Sequence, residues 1–248
     1  MKQYILFLIF LTFYDKYSII LVKYYKNRVI TMDKTTKLII VRHGQSLGNA
    51  TRTFLGHTDK DMSELGYKQA LATADHLKNE KIDKIYSSDL IRAYNTAVPH
   101  AKIRNLDINC RKNLREIYVG DWENRTFEEI IEKWGREMYE KEWFGNFGLF
   151  RFPEGESIIE GGNRFYTELK SICNENMGKT LLITAHAAVI RSFWAKISGI
   201  LPENLANELP FPTNASYSIA YFDGEKFTPK EYSIDSHLAS VGITKVKM

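Results

Sequence analysis

Leu38-Ile39-Ile40-Val41-Arg42-His43-Gly44-Gln45-Ser46-Leu47-Gly48-Asn49 passes in one step from four aliphatic residues to a turn of polar and small ones. An unbroken apolar run of this length, without alternation, fits a strand buried on both faces, as in a parallel sheet covered by helices. A second stretch repeats the grammar: Leu181-Leu182-Ile183-Thr184-Ala185 ends in His186. In open parallel sheets ligands sit beyond the carboxyl ends of the strands, so the residues that follow such runs are the ones to read for chemistry.

Around these two runs the pattern alternates strand and helix, which predicts a three-layer α/β/α sandwich with a mostly parallel central sheet. Lys37 to Val41 is the first strand. Ser63 to Glu80 reads as a helix with Ser63 as N-cap, and Lys84 to Tyr86 as a short second strand. Asp89 is expected to cap a helix ending at Pro99, and a third strand is expected within Ala101 to Asn109. Thr126 to Lys141 has apolar residues at helical spacing. Glu142 to Pro153, rich in Trp, Phe and Gly without a period, reads as a loop or lid. Ile158 to Met177 is helical and stopped by Gly178, Thr180 to Ala185 is a strand, and Ala188 to Ile197 is a helix. Ser216 to Phe222 and Lys226 to Tyr232 form a hairpin around Asp223-Gly224.

The chain has 248 residues, a formal net charge of +4 and a pI near 8.8. Residues 1–31 hold five basic residues and one acidic residue, which leaves 29 of each sign in the remainder. The body of the chain is therefore formally neutral and offers no basic patch for nucleic acid. Tyr4 to Tyr14 is uncharged but too short to span a bilayer, which takes about 20 residues. Joining it to Tyr17 to Val22 would bury Asp15 and Lys16. Residues 1–31 thus read as a hydrophobic, basic extension with Met32 as the true start, and residues 32–248 as one domain without a membrane segment. If expressed, the extension would offer a means of membrane association. Cys110 and Cys173 lack metal spacing and read as free thiols of a reducing, cytoplasmic compartment. The sequence assigns no oligomeric state.

Four groups follow apolar strand runs: Arg42-His43-Gly44, Ser87-Ser88 leading to Arg92, the segment around Glu116, and His186. Each guanidinium offers a planar fork of donors matched to phosphate oxygens. Gly44 would let the backbone approach an anion, and Gln45 and Asn49 would add neutral polar groups. A neutral His43 could attack phosphorus while His186 stabilises charge on the transferring group. Each residue alone has a plainer reading, since strand-end histidines and helical arginines are common. Their joint placement points to phosphoryl transfer.

These residues resemble the histidine phosphatase superfamily, in its phosphoglycerate mutase-like branch, from Leu38 to about Phe222. The resemblance is carried by Arg42-His43-Gly44-Gln45-Ser46 with Asn49, by Ser88-Asp89-Leu90-Ile91-Arg92-Ala93 with Thr96-Ala97, and by Leu114-Arg115-Glu116 with Gly120-Asp121-Trp122-Glu123. Pro153-Glu154-Gly155-Glu156-Ser157 and Thr184-Ala185-His186 complete it in the family's order. The resemblance implies a phosphoglycerate mutase-like fold, His43 as the phosphorylated nucleophile, Glu116 as proton donor and acceptor, and His186 as transition-state stabiliser. It implies a phosphate pocket that includes Arg42 and Arg92, with no metal and no cofactor. Ala187-Ala188 departs from the glycines many relatives carry after the second His, and Asn124 stands where a glycine often follows Trp-Glu.

Small phosphorylated molecules are the implied partners. Ile117-Tyr118-Val119 follows Glu116 where mutases typically have Arg-His-Tyr, which favours phosphomonoester hydrolysis over 2,3-bisphosphoglycerate-dependent phosphoglycerate mutation. A non-catalytic phospholigand-binding protein is the further alternative. His57, His76, His100 and His237 match no catalytic position and read as structural or exposed.

Overall fold

The computed structural model describes residues 35–244, so the expectation for residues 1–31 lies outside the described residues. Strands β1 (Thr36–Arg42), β2 (Lys84–Ser87), β3 (Ile108–Cys110), β4 (Thr180–Ala185), β5 (Tyr217–Phe222) and β6 (Phe227–Ile234) form one sheet in the order β3-β2-β4-β1-β5-β6. The β3/β2, β2/β4 and β4/β1 pairs are parallel, and the β1/β5 and β5/β6 pairs are antiparallel. The α-helices are α1 (Leu47–Ala50), α2 (Glu64–His76), α3 (Ile91–Arg104), α4 (Phe127–Trp134), α5 (Ile158–Asn174), α6 (Ala187–Ser198) and α7 (Leu205–Glu208).

The central strand β1 is buried along its length because helices cover both of its faces. Leu38 and Ile40 point into one apolar cluster with Phe165 and Leu169 of α5 and Phe193 of α6. Ile39 and Val41 point into the other with Ala97 and Ala101 of α3. The period of two along β1 thus divides its side chains between two helical layers, which is why its sequence reads as a continuous apolar run. The three-layer sandwich expected from the alternation is the architecture observed.

Ser63 caps α2 through the Gly66 amide, and Ser157 caps α5 in a capping box with Glu160. Helix α3 departs from expectation at both ends. Asp89 does not cap it; its carboxylate takes a bidentate pair from Arg115, and Asp59 Oδ1 accepts the Ile91 amide at 2.6 Å instead. Pro99 lies inside the helix rather than ending it. The helix stops at Asn105, whose φ of 53° suits the left-handed tolerance of asparagine. The third strand therefore begins only at Ile108. Likewise the helix expected over Thr126 to Lys141 is broken: α4 ends at Trp134, where Gly135 takes a φ of 90°, and a π-helical turn starts at Met138.

Beyond that break the segment read as a loop or lid is a packed wall. Met138–Gly145 is a π-helical turn and Phe147–Leu149 a 3-10 turn, and Trp143, Phe147, Phe150 and Phe152 are buried. Cys173 is buried and Cys110 exposed, both free. Among the described residues no helix is long and apolar enough to cross a membrane.

Candidate active site

The register of β1 against β4 decides where the two histidines lie. Arg42 pairs with Ala185, and the His43 amide donates to the Ala185 carbonyl at 2.9 Å, so the residues that leave the two strands start side by side. Their imidazole centroids are 5.2 Å apart with an interplanar angle of 57°. Ser87 pairs with Thr184 on the other side of β4, which brings Ser88 to the same edge. The Ser88 hydroxyl shares a 2.8 Å hydrogen bond with His186 Nε2.

His43 Nδ1 lies 2.7 Å from the Gly44 carbonyl. A carbonyl only accepts, so Nδ1 carries the proton and Nε2 of the neutral ring holds the lone pair. Burial, then the Arg92 and Arg42 cations, push the His43 imidazole well below its ordinary value of 6.5. At neutral pH the ring is therefore uncharged, the state in which it can act as a nucleophile. Burial, Arg92 and His43 push His186 down in the same way. His186 is fully buried behind the pocket, and its Nδ1 has no hydrogen-bond partner.

The two guanidinium groups are anchored from behind by backbone carbonyls. Arg92 donates from Nη1 to Thr58 (2.9 Å) and from Nη2 to Gly56 (2.7 Å), and Arg42 donates from Nη1 to Pro212 (2.6 Å). Arg42 Nε is buried without a partner. Burial lowers both groups to about 10, which leaves them cationic at neutral pH. Glu116 sits across the pocket, at the start of α6. Its Oε2 accepts the Ala188 amide (3.1 Å), and its Oε1 accepts the amides of Val189 (3.2 Å) and Ile117 (3.0 Å). The Ala188 amide thus reaches Glu116 from ordinary helical backbone, and the position needs no glycine. Asn124 takes a φ of 60°, a left-handed conformation that asparagine supplies in place of glycine.

Arg42, His43, Asn49, Arg92 and Glu116 line one cavity of about 720 Å³, counting its open mouth. Gln45, Gly44 and His186 do not line it, His186 lying one ring away against His43. The Gln45 side chain accepts from the Ser63 hydroxyl at 2.7 Å, and its amide donates to Gln69, so it ties the strand end to α2. The Gly44 amide donates to Thr96 Oγ1 at 3.0 Å, and a Cβ there would lie 2.4 Å from the Gly66 carbonyl oxygen. Glycine is required at this position by close packing against α2, not by approach to an anion. Asn49 caps backward onto the Ser46 amide and accepts from Asn214, so its carboxamide oxygen is already engaged at the pocket edge.

Several supporting residues carried no sequence signal. Arg164 donates to the carbonyls of Asn113, Arg115 and Glu116 and pairs with Glu156, which fixes the loop that carries Glu116. His57 Nε2 donates to the same Glu116 carbonyl at 2.8 Å, a structural role as expected for that histidine. Asn214 Nδ2 donates to the His43 carbonyl. Arg191 packs its guanidinium 4.5 Å from the Phe147 ring centroid and 4.2 Å from that of Phe211. Among the described residues no group of three or more His, Cys, Asp or Glu could hold a metal ion.

This arrangement of two cations, a neutral imidazole and a carboxylate agrees with what the chain is similar to. A family model of the histidine phosphatase superfamily (branch 1) matches residues 38–235. Phosphoserine phosphatase 1 of Hydrogenobacter thermophilus is 31% identical over 82% of this chain and 94% of its own. The structure of Bacillus stearothermophilus YhfR superposes with a TM-score of 0.76 at 28% identity, covering 82% of this chain and 99% of that one. An Entamoeba histolytica phosphoserine phosphatase in complex with 3-phosphoglyceric acid superposes with a TM-score of 0.71 at 28% identity, over 82% and 99%. The strand-end histidine pair and the family match lead to one conclusion: the chain belongs to the histidine phosphatase superfamily.

Proposed function

We propose that this pocket hydrolyses small phosphomonoesters by way of a phosphohistidine on His43. The observation that carries the reading is the 2.7 Å bond from His43 Nδ1 to the Gly44 carbonyl, which leaves Nε2 as the attacking atom within a pocket lined by Arg42 and Arg92. In the first step Nε2 bonds to phosphorus and the ester P–O bond breaks. The leaving alkoxide takes a proton from the Glu116 carboxyl, and the positive charge on the phosphorylated ring is shared with the Gly44 carbonyl. In the second step Glu116, now a carboxylate, takes a proton from water. The water oxygen bonds to phosphorus, the P–N bond breaks, and inorganic phosphate leaves with the imidazole restored. The guanidinium groups and His186 bear on the charge of the transferring PO₃ group, an electrostatic contribution that needs preorganised donors.

Rapid acid-free quenching with a labelled ester should trap base-stable, acid-labile phosphate on the wild-type protein and none on His43→Ala. Absence of label on the wild type during turnover would overturn the covalent route, and retention of the ester with neither label nor turnover would point to a phospholigand-binding role. Faster conversion of 3-phosphoglycerate to its 2-isomer than cleavage of any ester would favour the mutase reaction instead.

A further inference from the structure

The cavity lined by Arg42, His43, Arg92 and Glu116 has a second half with a different character. Of its lining residues only Arg42, His43, Arg92 and Glu116 carry or can carry charge, and all four belong to the phosphoryl-transfer end. The remainder is dominated by six aromatic rings: Phe54, Phe127, Trp143, Phe147, Phe152 and Phe211. These rings brace one another. Phe54 lies 5.0 Å from both Phe127 and Trp143, and Phe211 lies 4.9 Å edge-on from Phe147.

Cations flank this wall, but none of them lines the cavity. Arg52 packs against Phe127 and pairs with Glu128 at 3.3 Å. Arg151 pairs with Glu160, and Lys141 with Glu137, on the exposed outside. Arg191 donates to the carbonyls of Leu205, Ala206 and Leu209 and lies against Phe147 and Phe211. A carboxylate or second phosphate that reached the wall would find no cation in its lining, since Arg191 lies behind the Phe147 and Phe211 rings, and would lose its water without a direct ion pair. An alkyl or aryl group would instead bury its surface against the rings.

Resting on the hydrolase reading above, we infer that the substrates of this site are monoesters whose alcohol is uncharged and apolar, and that the site discriminates against phosphorylated amino acids and phosphoglycerates. The aromatic wall is the part of the site where this selectivity resides.

The test is a panel of ethyl, butyl and hexyl phosphate, phosphoserine and 3-phosphoglycerate with the full chain, read as kcat/KM. The alkyl esters share one leaving-group chemistry, so their series isolates the wall. We expect a rise of about 2- to 4-fold per added methylene, with hexyl phosphate exceeding both charged substrates by about tenfold or more. A flat alkyl series, or phosphoserine or 3-phosphoglycerate at or above hexyl phosphate, overturns the substrate class. If ethyl phosphate is still turned over through a trapped phosphohistidine in that event, the hydrolase reading stands alone. Turnover of none of the esters overturns both.

Discussion

Arg42, His43 and His186 stand at the ends of two strands whose parallel register fixes their spacing, whereas Trp143, Phe147 and Phe152 come from a stretch that forms only a π-helical turn, a 3-10 turn and an extended end. The polar floor inherits its geometry from the backbone ladder of β1 and β4, and each charged group is tied to a carbonyl or amide. The aromatic wall owes its geometry to side chains packed against one another, with Arg191 pinned across two rings. A floor of this kind tolerates little change in residue type but resists displacement. A wall of this kind can be trimmed one ring at a time.

Substitutions in the floor should therefore be the most damaging. His43→Ala should lower kcat by about 10⁴-fold or more and abolish the trapped phosphate, since among the described residues no second imidazole lines the pocket. Glu116→Gln keeps the amide contacts of Ala188 and Val189 within reach but cannot give or take the proton. It should cost about 10²- to 10⁴-fold with alkyl phosphates. With an aryl phosphate, whose leaving group needs no proton, the first step should be much less affected, so the loss there falls on dephosphorylation and appears as accumulated phosphoenzyme. Equal loss on both esters with no accumulation would remove Glu116 from the proton-transfer role.

A smaller effect separates the electrostatic part of the floor from its covalent part. His43 is held well below 6.5 by burial first and by Arg92 and Arg42 next. Histidine NMR should find no titration of its ring across about pH 5 to 8, where an ordinary histidine changes charge. Arg92→Gln removes one cation, so the His43 value should rise toward 6.5, and kcat/KM should fall by about 10²- to 10³-fold. The stability consequence has a definite sign. The unfolded ring binds a proton below about 6.5 and the folded ring does not, so folding stability falls as pH drops below that value and continues to fall down to the lowered native one. His100, buried with both ring nitrogens unpartnered and lowered to about 3, adds to the same slope. At pH 5 its share is about 2 kcal/mol relative to pH 7. A His100→Leu variant should flatten the pH dependence of denaturant midpoints by about that amount.

The same division explains what the sequence disclosed. The parallel sandwich and the strand-end histidines follow from apolar runs and the residues just beyond them, information that is local and survives folding unchanged. The extent of α3 past Pro99 and the break at Gly135 were not legible, because caps such as Asp59 Oδ1 on the Ile91 amide come from distant chain. Gly44 and Gln45 were legible as important but not for the right reason: their contacts are with Gly66, Thr96, Ser63 and Gln69, and only the fold brings α2 and α3 against the strand end. Arg164 and His57, which hold the Glu116 carbonyl, lie 48 and 59 positions away from it. The wall was legible only as composition. An aperiodic run of Trp, Phe and Gly does not reveal whether its rings face solvent, core or ligand.

The mildest test falls on that wall. Phe211 is half-buried, lies edge-on to Phe147 at 4.9 Å and supports the Arg191 guanidinium at 4.2 Å from its centroid. Phe211→Leu keeps the surface apolar while removing one aromatic pair and one cation–π contact, at a cost to stability of about 1–2 kcal/mol. Because the floor is anchored through other residues, ethyl phosphate turnover and phosphoenzyme yield should stay unchanged while kcat/KM for hexyl phosphate drops by a few-fold. Should both esters lose activity equally, the wall would be shown to position the floor through the 211–216 segment, where Pro212 accepts from Arg42 and Asn214 donates to the His43 carbonyl. Floor and wall would then be one mechanical unit rather than two.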